Sequence, residues 1–168
     1  MNEQFSITRR IDIDAAHRIP DHRSKCFNIH GHRYVIEATC VGPVIEKGEQ
    51  RGMVLDFSFL KECMVTAIHD PCDHGMILWN KDPMIPHFYK SLTDAEEKYG
   101  EDHTPDFIEG FKILKVNFVP TAENLAKYWH EEVTKAIHMF FNGRLEMPPM
   151  LRTIRVHETP NCMAEYPV

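Results

Sequence analysis

Residues 15–34 read AAHRIPDHRSKCFNIHGHRY, and the rest of the chain is best read outward from them. Four histidines (His17, His22, His30, His32), Cys26 and the cations Arg18, Arg23, Lys25 and Arg33 fall within this stretch. Just upstream, Phe5, Ile7, Ile11, Ile13 and Ala15 alternate with polar residues, which predicts a half-buried strand. His17 continues that alternation in phase, so its ring belongs to the apolar side. Downstream, His32, Tyr34, Ile36, Ala38 and Cys40 share one parity of a second strand, which Gly42-Pro43 ends. His30 and His32 lie two apart and project to the same face. An antiparallel hairpin of these two strands brings three imidazoles together and carries Cys26 in its loop.

A lone strand histidine is more often a hydrogen-bonded structural residue than a ligand. The His-x-His pair in phase with a third inward histidine changes that balance. Three neutral nitrogen ligands with a fourth position open is the pattern of catalytic zinc, whereas structural zinc closes with four protein ligands. Imidazole also suits iron, nickel or copper. Gly31, without a Cβ, lets a metal or another backbone come close. His22, beside Asp21 and Arg23 in a polar loop, reads as solvated, and Cys26 is free to serve as nucleophile or base. The four cations of the stretch face only Asp21, which would suit an anionic, phosphorylated ligand; taken singly, each is an ordinary solvated charge.

The 168 residues fit a single domain, 1–168, with 43% hydrophobic and 26% charged residues. The net charge of −6 argues against a general nucleic-acid binder. No apolar run reaches membrane-spanning length and MNEQFSITRR lacks a signal-peptide core, so no membrane partner is expected and the expected location is the cytoplasm. Five cysteines with no C-x-x-C pair fit free thiols in a reducing compartment.

Asp56 is a plausible N-cap for a helix whose stripe is Phe57, Leu60, Met64, Ala67 and Ile68, stopped by Pro71. Asp73-His74 follows; an Asp beside a His can orient an imidazole for proton transfer, though such a dipeptide is usually a cap or a solvated turn. Residues from about 80 to 110 are the least readable: they hold three prolines and the acidic run TDAEEKYGED, and are read as an acidic insertion. A third strand is expected over 111–118. Thr121 caps a second helix with the stripe Leu125, Trp129, Val133, Ile137 and Phe140, which Gly143 ends. A fourth strand over 150–158 carries Ile154, Val156 and then Glu158 on one face. A carboxylate there is costly to bury without donors; the plain alternative is an ion pair with Arg152 or Arg155.

The run Cys26-Phe-Asn-Ile-His30-Gly-His32, preceded by the AAHR of His17, resembles the 6-pyruvoyl-tetrahydropterin synthase superfamily, and more narrowly its 6-carboxytetrahydropterin synthase branch of the queuosine (7-deazaguanine) pathway. Three residues separate Cys26 from His30, as in the carboxy-type enzymes, and a cysteine rather than a glutamate at position 26 argues against a third, folate-linked branch. The resemblance covers most of the chain, interrupted only by the insertion. It implies an α+β tunnelling fold, with an antiparallel four-stranded sheet and two helices on one face, assembled as a homo-oligomer of trimers stacked into hexamers. It implies Zn2+ on His17, His30 and His32, a catalytic set of Cys26, Asp73, His74 and Glu158, and a pterin pocket anchored by Glu158 and lined by Thr121 and Glu123. The implied reaction turns 7,8-dihydroneopterin triphosphate into 6-carboxy-5,6,7,8-tetrahydropterin, acetaldehyde and triphosphate. The rivals are 6-pyruvoyl-tetrahydropterin synthase, which stops before carbon–carbon cleavage, and a cupin-like metal module, which would add a carboxylate or fourth imidazole to the metal and leave Cys26 without a role.

Overall fold

A computed structural model describes residues 3–88, 107–108, 111–141 and 149–168. Strands β1 (Phe5–His17) and β2 (His30–Gly42) form an antiparallel hairpin in unbroken register from Phe5↔Gly42 to His17↔His30. The alternation is realised in burial: Ile11, Ile13, Ala15 and His17 on β1 and Tyr34, Ile36, Ala38 and Cys40 on β2 are buried, while Arg10, Asp12 and Asp14 are exposed. A Cβ at Gly31 would lie 3.3 Å from the Ala15 carbonyl oxygen, so this glycine serves the close approach of the β1 backbone.

Helix α1 (Phe57–Met64) is capped as expected, the Ser58 N–H donating to Asp56 Oδ1 at 2.6 Å. Phe57, assigned to the apolar stripe, is instead 50% exposed. Pro71 does not stop the helix. A π-turn (Val65–His69), in which the Asp70 N–H reaches the Val65 carbonyl, leads into a last short turn, α2 (Asp70–Cys72). A proline ring clashes with the carbonyl four residues back in regular α geometry and offers no N–H; the wider π-turn ahead of it relieves that conflict.

The remaining strands are β3 (Gly75–Trp79), β4 (Phe107–Ile108), β5 (Phe111–Val116), β6 (Met150–Thr159) and β7 (Cys162–Tyr166), and α3 (Ala122–Phe141) lies between β5 and β6. They join one sheet in the order β4-β5-β3-β1-β2-β6-β7. This corrects the expected four-stranded antiparallel sheet twice over. Strands β3, β4 and β7 are additional, and β3 pairs parallel with both β1 and β5, so the sheet is mixed. The segment Gly-Met-Ile-Leu-Trp is a continuous apolar run, the signature of a buried parallel strand, and therefore lacks the alternation that reveals a strand with one wet face. The α+β class and the placement of the helices hold: Leu60, Met64 and Ile68 together with Leu125, Trp129, Val133 and Ile137 share one core with Ile13, Tyr34, Ile36, Ile77, Ile154 and Val156. Each such large side chain contributes roughly 1.5–3 kcal/mol of burial.

Most of the acidic insertion (89–106 and 109–110) and the Gly143 stop lie outside the described residues. Among the described residues no helix is long and apolar enough to cross a membrane.

Candidate metal centre and relay residues

The β1–β2 register sets His17 opposite His30, and His32 opposite Ala15, so the three rings meet at one end of the hairpin. One ligand atom from each lies within 4.8 Å of the others. Ring centroids are 4.5 Å apart for His17 and His30, 5.2 Å for His17 and His32, and 5.0 Å for His30 and His32. His17 Nδ1 lies 2.7 Å from the Pro120 carbonyl oxygen and His30 Nδ1 lies 2.8 Å from the Asn28 carbonyl oxygen. A carbonyl only accepts, so both rings carry their proton on Nδ1 and, when neutral, present an Nε2 lone pair. His17 Nε2 is buried and has no hydrogen-bond partner among the described residues. An orphaned buried nitrogen, two further imidazoles converging on it and backbone carbonyls fixing the tautomers form a donor set that fits a divalent metal.

Burial lowers the pKa of His17 to about 4; the Pro120 bond opposes this and the neighbouring His30 and His32 reinforce it. His32 is lowered too, first by desolvation, with the Glu158 carboxylate pulling the other way. Both rings are therefore neutral and ready as ligands at pH 7. Beneath them, Tyr34 meets His17 and His32 edge to face, with centroids 5.8 and 5.4 Å away. Its phenol is pushed far above its ordinary pKa, chiefly by burial and then by the carboxylate and thiols around it, Cys26 included.

Glu158 ends the inward face of β6, and its Oε1 lies 3.9 Å from His17 Nε2. Arg155, offered as an ion-pair partner for it, is instead committed to Glu165 at 3.0 Å. Cys26 sits half-buried in a 3-10 turn (Lys25–Phe27), with the Ile19 N–H donating to its carbonyl at 2.8 Å. Thr121 does what an N-cap does, accepting from the Asn124 N–H at 3.4 Å, while Glu123 is exposed on the first turn of α3.

Asp73 and His74 form a second group. His74 Nδ1 lies 2.7 Å from Asp73 Oδ2, the Asp14 N–H donates to Asp73 Oδ1 at 2.9 Å, and His69 Nε2 is 3.5 Å from Oδ2. Desolvation raises the Asp73 carboxyl, but the Asp14 N–H, the His74 hydrogen bond and the charges of His74 and His69 outweigh it and hold the group below its ordinary range. His74 adopts a left-handed backbone (φ 54°) and its ring is largely exposed. Among the described residues no hydrogen bond, ion pair or ring contact joins this pair to the three imidazoles of the same chain.

The cation cluster read from the loop divides. Arg18 is buried against Asp82, and Arg33 has the parity opposite to His32 and Tyr34, so neither joins the imidazoles as a free charge. The carbonyls of Pro120 and Asn28, and His69, went unmarked in the sequence, where Tyr34 reads as an inward-facing residue without a part in the site. Backbone acceptors leave no residue-type signal; His69, four residues ahead of Asp73 on a helix, did leave one.

A sheet backed on one face by two helices, with three imidazoles on its central hairpin, is the tunnelling fold. Two solved structures share it. An uncharacterized protein from Wolinella succinogenes superposes with a TM-score of 0.75 at 21% identity, covering 98% of each chain. The 6-pyruvoyl tetrahydropterin synthase of Caenorhabditis elegans gives 0.61 at 24% identity, covering 98% of this chain and 96% of that one.

The chain belongs to the 6-pyruvoyl tetrahydropterin synthase family, whose sequence model matches residues 6–167. Relatives named 6-carboxy-5,6,7,8-tetrahydropterin synthase include those of Rickettsia bellii, 35% identical over 94% of this chain and 96% of its own length, and Aquifex aeolicus, 34% identical over 85% and 76%. A 6-pyruvoyl tetrahydrobiopterin synthase from Drosophila melanogaster is 27% identical over 95% of this chain and 77% of its own length.

Proposed function

We propose that this single-domain protein is a zinc-dependent lyase that converts 7,8-dihydroneopterin triphosphate into 6-carboxy-5,6,7,8-tetrahydropterin, acetaldehyde and triphosphate, a step of queuosine (7-deazaguanine) biosynthesis in the cytoplasm. The observation that carries the reading is the orphaned Nε2 of His17 within the His17, His30, His32 cluster; the names of relatives of 30–35% identity support the choice of branch.

His17, His30 and His32 would hold the Zn2+, which when bound supplies Lewis-acid polarisation of substrate hydroxyls. Glu158, beside the cluster, accepts the two parallel N–H groups of the guanidine-like edge of the pterin and fixes the ring. Thr121 and Glu123, at the start of α3, line the pocket. The Cys26 thiolate takes a proton from the substrate side chain. His74, held by Asp73 through Nδ1, presents its Nε2 for proton transfer on the other face. Triphosphate leaves by elimination; one water then adds at the side-chain carbonyl next to the ring, and a retro-aldol type of carbon–carbon cleavage releases the two-carbon fragment as acetaldehyde and leaves the carboxyl group.

The exposure of His74 and its separation from the imidazoles support a pocket completed by a second copy of the chain, in keeping with trimers stacked as hexamers. A 6-pyruvoyl-tetrahydropterin synthase would use the same residues and stop earlier. The cupin-like reading is disfavoured because, among the described residues, the group that could hold an ion consists of the three imidazoles, with Glu158 3.9 Å from His17 Nε2 and outside that group.

The test is incubation of the metal-loaded protein with 7,8-dihydroneopterin triphosphate. Acetaldehyde in proportion to released triphosphate is expected. Triphosphate release without acetaldehyde would assign the pyruvoyl reaction, and full activity of Cys26→Ala at unchanged metal content would contradict the thiolate's role.

A further inference from the structure

Arg18 follows a proposed metal ligand in sequence, yet its guanidinium is spent inside the protein. Its Nε lies 3.1 Å from Asp82 Oδ2, with the two side chains 7% and 0% exposed. Asp82 is itself pinned: its N–H donates to the Trp79 carbonyl at 2.9 Å, and its Oδ1 accepts from the Met84 N–H at 2.8 Å. The cation therefore stands against a carboxylate held in place just past the end of β3, as an ion pair without an aligned hydrogen bond. The Arg18 Cζ is 4.8 Å from the centroid of the Phe27 ring. Phe27 is half-exposed and shares its 3-10 turn with Cys26. No side-chain cap holds that turn. The Ile19 N–H to the Cys26 carbonyl and the guanidinium under Phe27 tie it to the neighbouring segment, and His30 Nδ1 holds the carbonyl of Asn28, which closes the turn. A desolvated cation against an aromatic face is a directional contact, stronger than the same contact in water.

We infer that Asp82, Arg18 and Phe27 form a clamp that fixes the Cys26 turn, which makes Arg18 a positioning residue and not a substrate-binding cation. For catalysis the inference rests on the reading of Cys26 as the base; as a statement about the turn it stands on the contacts alone.

Phe27→Leu tests it with little threat to folding, because half of that side chain is already in solvent. Cys26 and the exposed Cys162 of the metal-loaded protein are labelled with iodoacetamide and followed by mass spectrometry. The clamp predicts Cys26 labelling accelerated roughly two- to thirtyfold, the range of one cation–π contact from exposed to desolvated. Cys162 labelling and metal content stay at wild-type values, and Phe27→Tyr, which restores the aromatic face, returns the slow rate. In turnover, kcat falls with KM unchanged. Equal labelling of Cys26 in Phe27→Leu and wild type, or equal acceleration of Cys162, overturns the clamp. Full turnover by Cys26→Ala overturns the proposed catalytic role and leaves the labelling result standing.

Discussion

Acid should strip stability from the metal-free protein, and one side chain, His17, should account for a separable share of the loss. His17 is 2% exposed, and burial lowers its pKa from 6.5 to about 4. The fold therefore favours the neutral ring, and the unfolded chain binds more protons wherever the pH lies below 6.5. The stability His17 contributes is complete above about pH 6.5 and drains away as the pH falls towards 4. At 1.36 kcal/mol per unit, a shift of about 2.5 units bounds the loss near 3 kcal/mol, of which roughly 2 kcal/mol is gone by about pH 4.5. His32, lowered in the same direction, adds to it. The assay is urea unfolding of chelator-treated protein at about pH 7 and pH 4.5, at one fixed protein concentration. His17→Asn cannot titrate and keeps an N–H for the Pro120 carbonyl, so its stability should fall less between the two pH values, by roughly 2 kcal/mol. Parallel losses in the two proteins would refute the account of His17 as a ring held neutral by burial.

Three other perturbations follow from the same geometry. Asp73→Asn removes the carboxylate that holds His74 and should lower kcat by roughly two to four orders of magnitude at unchanged metal content; a wild-type kcat would detach the pair from the chemistry. Glu158→Gln keeps the shape and removes the charge, so KM should rise about tenfold or more while metal is retained; an unchanged KM would remove Glu158 from the pterin pocket. Gly31→Ala sets a Cβ 3.3 Å from the Ala15 oxygen and should cost about 1–3 kcal/mol, read as a lower urea midpoint; an unchanged midpoint would show that the strands yield freely there.

The hairpin was legible because each strand has one buried and one wet face, so alternation carried His17, His32 and Tyr34 to the correct side. The Thr121 and Asp56 caps were legible because capping is local chemistry. Strand β3 escaped because a parallel strand buried on both faces does not alternate, and the helix end at Pro71 was misplaced because a π-turn is set by backbone accommodation that residue types do not announce. Arg18 read as one loop charge among four, since its partner Asp82 is distant in sequence and reaches it only through the parallel pairing of β3 with β1.

Metal content is the most direct test of the centre. Elemental analysis of the purified protein should find about one zinc per chain, and His32→Ala, with the hairpin still folded, should lose it. A folded His32→Ala protein that keeps its full complement of zinc would contradict the three-imidazole centre on which the proposed chemistry depends.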